Sequence, residues 1–592
     1  MSPLSLHTRE LLEFPQVQQS VASLCLSEEG RALLEGQAVL EAGEPVDELL
    51  NFGGDLKRLI EASPLPPLDF PAVHGGLPKI RKEGTVAEGL ELSAIGTFIH
   101  SAMLLRKHLS HHPTEERSPR SELLFEFSTR LPELSGVSGK ILHLLTPDGS
   151  VNEDRVPELK AIRREILNLH SDVASLTSKY LSGDRAMWQA DVPTQRDGRT
   201  VLPLKASHRG KVQGIVHEVS ATGATLFIEP MDIVEKNNQL VEQDNRYRRV
   251  VHRILKELSE LVRDSIDEVE LVVERIAYFD SIYARARYSQ LHRCVRAARA
   301  DRRVMLHGAR HPLLGREAVP IDFELGGNAD IMVITGANAG GKTVTLKTVG
   351  ILALMNQWGM EIPASEGCEL PVFDNVLVDI GDDQSIANSL STFSGHMKAL
   401  STIIAECTAS SLVLLDEVGS GTDPAEGSAL AMAVLDYLAE KKSLVVATTH
   451  HGIIKRYGYS RPRITNASVS FDSATLSPTY ELVIGVPGES HALEIASRSR
   501  IPSEVVAHAR EYAEAERTDL DRAVDELAAH RRELDAQREE LERLQRELAE
   551  RDESLREREA KLDEAKEALH SREHGELGDF LRESRRMLEN LV

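Results

Sequence analysis

The chain has 592 residues, a formal net charge of −24 and 4% aromatic residues. That length exceeds what one hydrophobic core organises, so several structural units are expected. No window approaches the roughly 18 unbroken apolar residues of a membrane span, and the acidic balance excludes a generally basic nucleic-acid binder, so any such contact has to be local.

The first residues, Met1-Ser-Pro-Leu-Ser-Leu6, show no basic region ahead of an apolar run, and no secretory signal is read there. Cys25, Cys294, Cys368 and Cys407 are scattered, with no metal-ligand spacing. They read as reduced, small apolar residues, which predicts a cytoplasmic protein without a membrane partner.

Residues 1–150 read as a helical core. Leu11-Leu12-Glu-Phe14-Pro15 and Val21-Ala-Ser-Leu24 open it, and Arg31-Ala-Leu33-Leu34 continues it. Pro64-Leu-Pro-Pro67 breaks the pattern, which returns from Leu92 to Leu109. Over 151–185 the periodicity tightens. Leu159, Ile162, Ile166, Leu169, Val173, Leu176 and Tyr180 recur in steps of three and four, the seam of a helix packing along a partner, and Ser182-Gly183 ends it. Within 231–300 the seam resumes at Tyr247, Val251, Ile254, Leu258 and Leu261. Two long helices flanking an insertion predict an antiparallel arm with a module, 186–230, at its tip.

That module has short β-type runs, Thr200-Val-Leu-Pro-Leu204, Val212-Gln-Gly-Ile-Val216 and Thr225-Leu-Phe-Ile228, separated by glycines. Between Pro193 and Lys211 it carries five cations, Arg196, Arg199, Lys205, Arg209 and Lys211, against one acid, Asp197. Two readings stand: a contact with nucleic-acid phosphates, or a solvated strand edge guarded by charge. No aromatics interleave the cations, so a nucleic-acid contact would not be base stacking.

The chemistry concentrates in 301–512. Ile331-Met-Val-Ile334 is a short apolar run, and Gly336-Ala337-Asn338-Ala339-Gly340-Gly341-Lys342-Thr343 follows it ahead of a helical run. Strand, glycine loop and helix are the context in which this spacing cradles phosphates. Backbone N–H groups turn inward, Lys342 reaches the β- and γ-phosphates of a nucleotide such as ATP, and the Thr343 hydroxyl holds Mg²⁺. A second strand, Leu412-Val-Leu-Leu415, delivers Asp416 and Glu417, 74 residues after Lys342. Asp416 suits the metal and Glu417 the polarisation of an attacking water. A third, Leu444-Val-Val-Ala447, leads through Thr448 and Thr449 to His450 and His451; His450, nearer the strand, fits a sensor of the γ-phosphate, and a plain surface histidine is the alternative.

Between loop and acids, Val376-Leu-Val-Asp-Ile380 reads as a strand leading to Asp382-Asp383-Gln384-Ser385, where Gln384 could touch metal or water. Ser389-Leu-Ser-Thr-Phe-Ser-Gly395 precedes a helix carrying Leu400, Ile403 and Ile404. Its hydroxyls suit either anion capture or simple N-capping. Finally, 513–592 holds 16 cations and 25 anions, with leucines every seventh residue from Leu520 through Leu527, Leu534, Leu541, Leu548, Leu555 and Leu562 to Leu569. The register argues for a coiled coil. The second seam position is poor (His530, Gln537, Arg551), and a single charged helix is the other reading.

The order of these motifs resembles the MutS ATPases. The finer matches are to the MutS-two branch: Thr335 to Lys347, Gly419-Ser-Gly-Thr-Asp-Pro424, Gly214 through Pro230, and His311-Pro-Leu-Leu314. The resemblance implies a multidomain α and α/β protein. It would have a helical core, lever arms at 151–185 and 231–300, a β-containing clamp at 186–230, an ABC-type P-loop ATPase head at 301–512 and a C-terminal coiled coil. It implies ATP and Mg²⁺ as ligands and a homodimer in which Ser391 and Thr392 of one protomer face the other's γ-phosphate. Implied partners are branched DNA, with suppression of recombination, or the ribosome and its RNA, with splitting of stalled subunits. Nothing before residue 150 resembles a mismatch-reading domain. A C-terminal Smr nuclease domain, usual in that branch, is not read in these residues, so endonuclease activity is not expected of them. An SMC-like structural ATPase would separate loop and acids by a long coil, and a transporter subunit would carry a different signature.

Overall fold

The computed structural model describes residues 6–110, 122–336, 341–381, 392–472, 477–486, 493, 496–497, 501–515 and 519–589. The chain divides into two compact units, residues 1–324 with 347–376, and residues 325–346 with 377–592.

In the first unit, helices Leu6–Leu11, Phe14–Ala22, Glu28–Gly36, Gly43–Ala62, Gly89–Leu109, Glu122–Thr129 and Ser135–Leu144 precede the arm. Two of their starts carry side-chain caps. Ser27 Oγ accepts from Gly30 N at 3.0 Å, and Glu88 with Glu91 closes a capping box on Gly89–Leu109. The fully buried Asp280, from helix Ile266–His292, accepts from Leu26 N, Ser27 N and Ser27 Oγ. Burial pushes the Asp280 carboxyl above its ordinary range, and those three donors oppose the shift.

The arm consists of helices Pro157–Ser182 and Met231–Asp264, packed along each other. Leu159, Ile162, Ile166, Leu169 and Val173 are buried as the seam predicts, and Leu176 and Tyr180 are partly buried against the same core. Thr177 and Leu181 are buried beside them in the last turns, so the packed face widens there.

At the tip, β1 (Thr194–Arg196), β2 (Arg199–Lys205), β3 (Gly214–Val219) and β4 (Thr225–Pro230) form an antiparallel sheet in the order β1-β2-β4-β3. Val201, Leu202, Leu204, Leu226, Ile228 and Trp188 are buried there. So is Glu229, at 0% exposure. It accepts from Arg199 Nη1 at 2.9 and 3.2 Å and Asn237 Nδ2 at 2.6 Å, and pairs with His217 Nε2 at 2.6 Å. Strand β1 is absent from the sequence reading because its polar Thr-Gln-Arg has no apolar alternation. A further sheet, β5 (Ala298–Arg299), β6 (Val304–Ala309), β7 (Ile321–Leu325) and β9 (Glu369–Leu370), runs in the order β5-β9-β6-β7.

The second unit is built on β8 (Ile331–Thr335), β10 (Val376–Asp379), β11 (Leu412–Leu415), β12 (Leu444–Thr448), β13 (Ile464–Asp472) and β14 (Ser477–Ile484), ordered β10-β11-β12-β8-β13-β14. Strands β11, β12, β8 and β13 are parallel, and β14 turns back antiparallel. Helices Thr392–Glu406 and Pro424–Lys441 cover the sheet with Leu400, Ile403, Val434, Leu435 and Leu438, packed on Val413, Leu415, Val445 and Ala447. Residues Asp519–Glu589 form one helix on which Leu534, Leu541, Leu548, Leu555 and Leu562 are exposed. Among the described residues no helix is long and apolar enough to cross a membrane.

The Glu229 cluster generates a test. Glu229→Ala leaves Arg199 and Asn237 without their buried acceptor, an expected cost of about 3–5 kcal/mol. Urea unfolding should show the loss. Hydrogen exchange should quicken across 199–230 and stay unchanged in β11 and β12.

Candidate phosphate-loop site

Strand β8 is entirely buried and sits between β12 and β13. Gly336 follows it at φ 134°, and Gly341, at φ 90°, precedes the helix that opens at Lys342. A Cβ on Gly341 would lie 2.8 Å from Cδ1 of Tyr480, so both backbone angle and space demand glycine there. Ala337, Asn338, Ala339 and Gly340 lie outside the described residues. Lys342, 2% exposed, donates from Nζ to the Gly336 carbonyl at 2.6 Å, folding across the loop. Burial pulls its pKa below the ordinary lysine value, and the charges of Glu417 and Asp416 oppose that shift.

The acids come from the end of β11. Asp416 is buried, and its carboxylate accepts from Thr343 Oγ1 at 2.7 Å and from Thr448 Oγ1. Its backbone N–H donates to the Asp379 carbonyl at 2.8 Å. The ends of β10, β11 and β12 thus converge on one residue. Glu417 takes φ 48°, the left-handed region, where a residue of this type carries a strain of roughly 1–3 kcal/mol. The turn is held by Glu417 N donating to Thr448 Oγ1 at 2.8 Å and Val418 N donating to the Thr448 carbonyl at 3.0 Å. Asp423 caps the next helix, its Oδ1 accepting from Ala425 N and Glu426 N.

His450 is exposed just past β12, its ring 4.4 Å from that of His451. Partial desolvation pulls its pKa below the ordinary histidine value, the charges of His451 and Lys342 add to this, and Glu417 opposes it. Near neutral pH its imidazole is uncharged, able to donate from one ring nitrogen. Gln384 and Ser391 lie outside the described residues, and Thr392 opens the helix Thr392–Glu406.

The tip cations divide into two groups. Arg199 is engaged by Glu229 and Asn238, and Arg196 by Glu218 and the face of Phe227, 4.4 Å from its guanidinium carbon. Lys205 donates to the Ala186 carbonyl at 2.9 Å. Arg209 and Lys211 are exposed in the turn between β2 and β3.

The sequence reading overlooked several residues of the site. Thr448 is identifiable only from its two hydrogen bonds, because a threonine at a strand end carries no motif of its own. Tyr480 lies in β14 at φ 63°, an unusual angle for an aromatic residue, with its ring against the phosphate loop. The pairing of Asp379 with His396 joins residues in two separate motifs.

Comparison with known proteins places this geometry. Residues 332–516 match the MutS domain V family. The chain is 41% identical over 525 residues to the endonuclease MutS2 of Pelotomaculum thermopropionicum, covering 87% of this chain and 66% of that protein. It is 39% identical over 535 residues to the endonuclease MutS2 of Thermomicrobium roseum, covering 87% and 67%. With the endonuclease MutS2 of Bacillus velezensis it shares 38% identity over 526 residues, covering 87% and 66%. The chain thus spans about two thirds of the length of these relatives.

Thr448→Val keeps the side-chain volume and removes both hydrogen bonds. The buried N–H of Glu417 loses its acceptor, and the expected loss of stability is about 1–3 kcal/mol in a urea titration.

Proposed function

The chain belongs to the MutS2 branch of the MutS family, and from that membership we propose that it is an ATP-hydrolysing homodimer whose tip module grips branched DNA and so opposes recombination. The observation that carries the reading is the Thr343–Asp416 contact beside Lys342. It sets a hydroxyl and a carboxylate together at the end of a phosphate loop. These are hard oxygen donors, few in number, as suits Mg²⁺ that keeps several waters and binds substrate phosphates. Mg²⁺ held by Thr343 and, through water, by Asp416 would neutralise charge on the β- and γ-phosphates.

The remaining steps belong to the chain's own groups. Lys342, now folded onto the loop, turns to the β- and γ-phosphates. Glu417 orients and polarises the attacking water. The neutral His450 donates to the γ-phosphate, and Gln384 contacts metal or water. Tyr480, lying on Gly341, borders the nucleotide. In the dimer, Ser391 and Thr392 of one protomer complete the other's site, and the segment Ser420–Asp423 crosses between them. Helix Asp519–Glu589 supplies the coil. The reading assigns ATP hydrolysis and no strand cleavage to these residues.

Arg209 and Lys211 are the cations best placed for phosphate contact, since the other three have partners within the protein. Reversing both to glutamate should lower affinity for a synthetic four-way DNA junction and reduce the salt slope by about 2. An unaltered slope would leave them as a solubilising edge. Glu417→Gln should retain nucleotide, slow hydrolysis by about a hundredfold or more, and trap a closed dimer. Material co-purifying with that trap identifies the target. Recovered DNA supports this reading, whereas ribosomal RNA without junction affinity would replace it with a ribosome-directed one.

A further inference from the structure

We infer that His396 is a positioning residue that ties the metal-binding end of each ATP site to the segment its protomer presents to the other. His396 lies in the second turn of helix Thr392–Glu406, and its Nδ1 is 3.0 Å from both carboxylate oxygens of Asp379. An ionised aspartate only accepts, so this ring nitrogen carries the proton. Both side chains are mostly buried, at 17% and 13% exposure. A charge-assisted bond so protected fixes a geometry that a solvent-exposed pair would not.

Asp379 faces two ways. Its carboxylate holds the helix, and its main-chain carbonyl accepts the N–H of Asp416 at 2.8 Å. The helix start is thus held to the strand end beside Asp416. Displacement of Asp416 on engaging Mg²⁺ and nucleotide would therefore reach the helix through His396.

The inference rests on the reading that the protein is a dimeric ATPase with composite sites. If the helix start completes the partner's site, loss of His396 should act in trans. Mixed dimers separate the possibilities. One protomer carries Glu417→Gln and hydrolyses about a hundredfold more slowly, so the first, single-turnover burst of phosphate release reports the other's site. His396→Ala in the silenced protomer should lower kcat by about tenfold or more with little change in KM, as expected when a catalytic group is misplaced rather than lost. The same substitution in the hydrolysing protomer should have a smaller effect. His396→Asn, whose amide nitrogen can take the place of Nδ1, should restore most of the rate. Asp379→Ala, which keeps the main-chain carbonyl bond to Asp416 but removes the acceptor of His396 Nδ1, should reproduce the trans loss from the other partner of the pair. Loss that is equal in the two arrangements, or larger in the hydrolysing protomer, overturns the inference, as does an asparagine variant no better than alanine. A wild-type protein that releases no phosphate, or stays monomeric with ATP, overturns the ATPase reading beneath it.

Discussion

A single buried carboxylate organises the phosphate-loop end of the second unit. Asp416 is reached by hydroxyls from the phosphate-loop helix and from β12, and its N–H is held by the end of β10. Desolvation of such a group is costly unless each lone pair is answered. The two threonines answer it while remaining uncharged. Lys342, pulled below its ordinary pKa by burial, is the counter-charge nearest at hand. The strained turn at Glu417 follows from the same arrangement, because Thr448 bonds both to Asp416 and to the Glu417 N–H.

A second buried carboxylate plays the corresponding part in the tip module, with a different outcome. Glu229 is answered by a guanidinium, an imidazole and an amide. It organises a fold rather than a reaction. Net charge near such a centre says little about the field outside. Arg199 and Arg196 count as basic residues in the sequence, yet their charges are neutralised within the module. Lys205, donating to a neutral carbonyl, keeps its charge beside the exposed Arg209 and Lys211.

Much of the second unit is legible in the sequence because its central strands are continuous apolar runs. Ile331–Ile334, Leu412–Leu415 and Leu444–Ala447 read as buried parallel strands, and they are. Strand β13 escapes notice because Asn466 and Ser468 occupy buried positions where the pattern demands apolar side chains. Asn466 is accepted there by donating to the Lys455 carbonyl at 3.0 Å, a compensation invisible in one dimension. Tyr480 and the His396–Asp379 pair are missed for a related reason: their significance lies in a neighbour brought in by topology. In the arm the seam positions pack as read, and the buried Thr177 and Leu181 beside them are not marked by the heptad.

The C-terminal helix has a mechanical consequence. Its 71 residues extend about 107 Å at 1.5 Å per residue. Opposite charges along its length stabilise it only weakly, by tenths of a kilocalorie per pair. Exposed leucines such as Leu541 and Leu548 return their transfer energy only when something dry lies on them. Its bending stiffness is thus conditional. Bare, it is a strut that thermal motion flexes; sheathed along the leucine row, it would carry force over a distance several times the width of a globular domain.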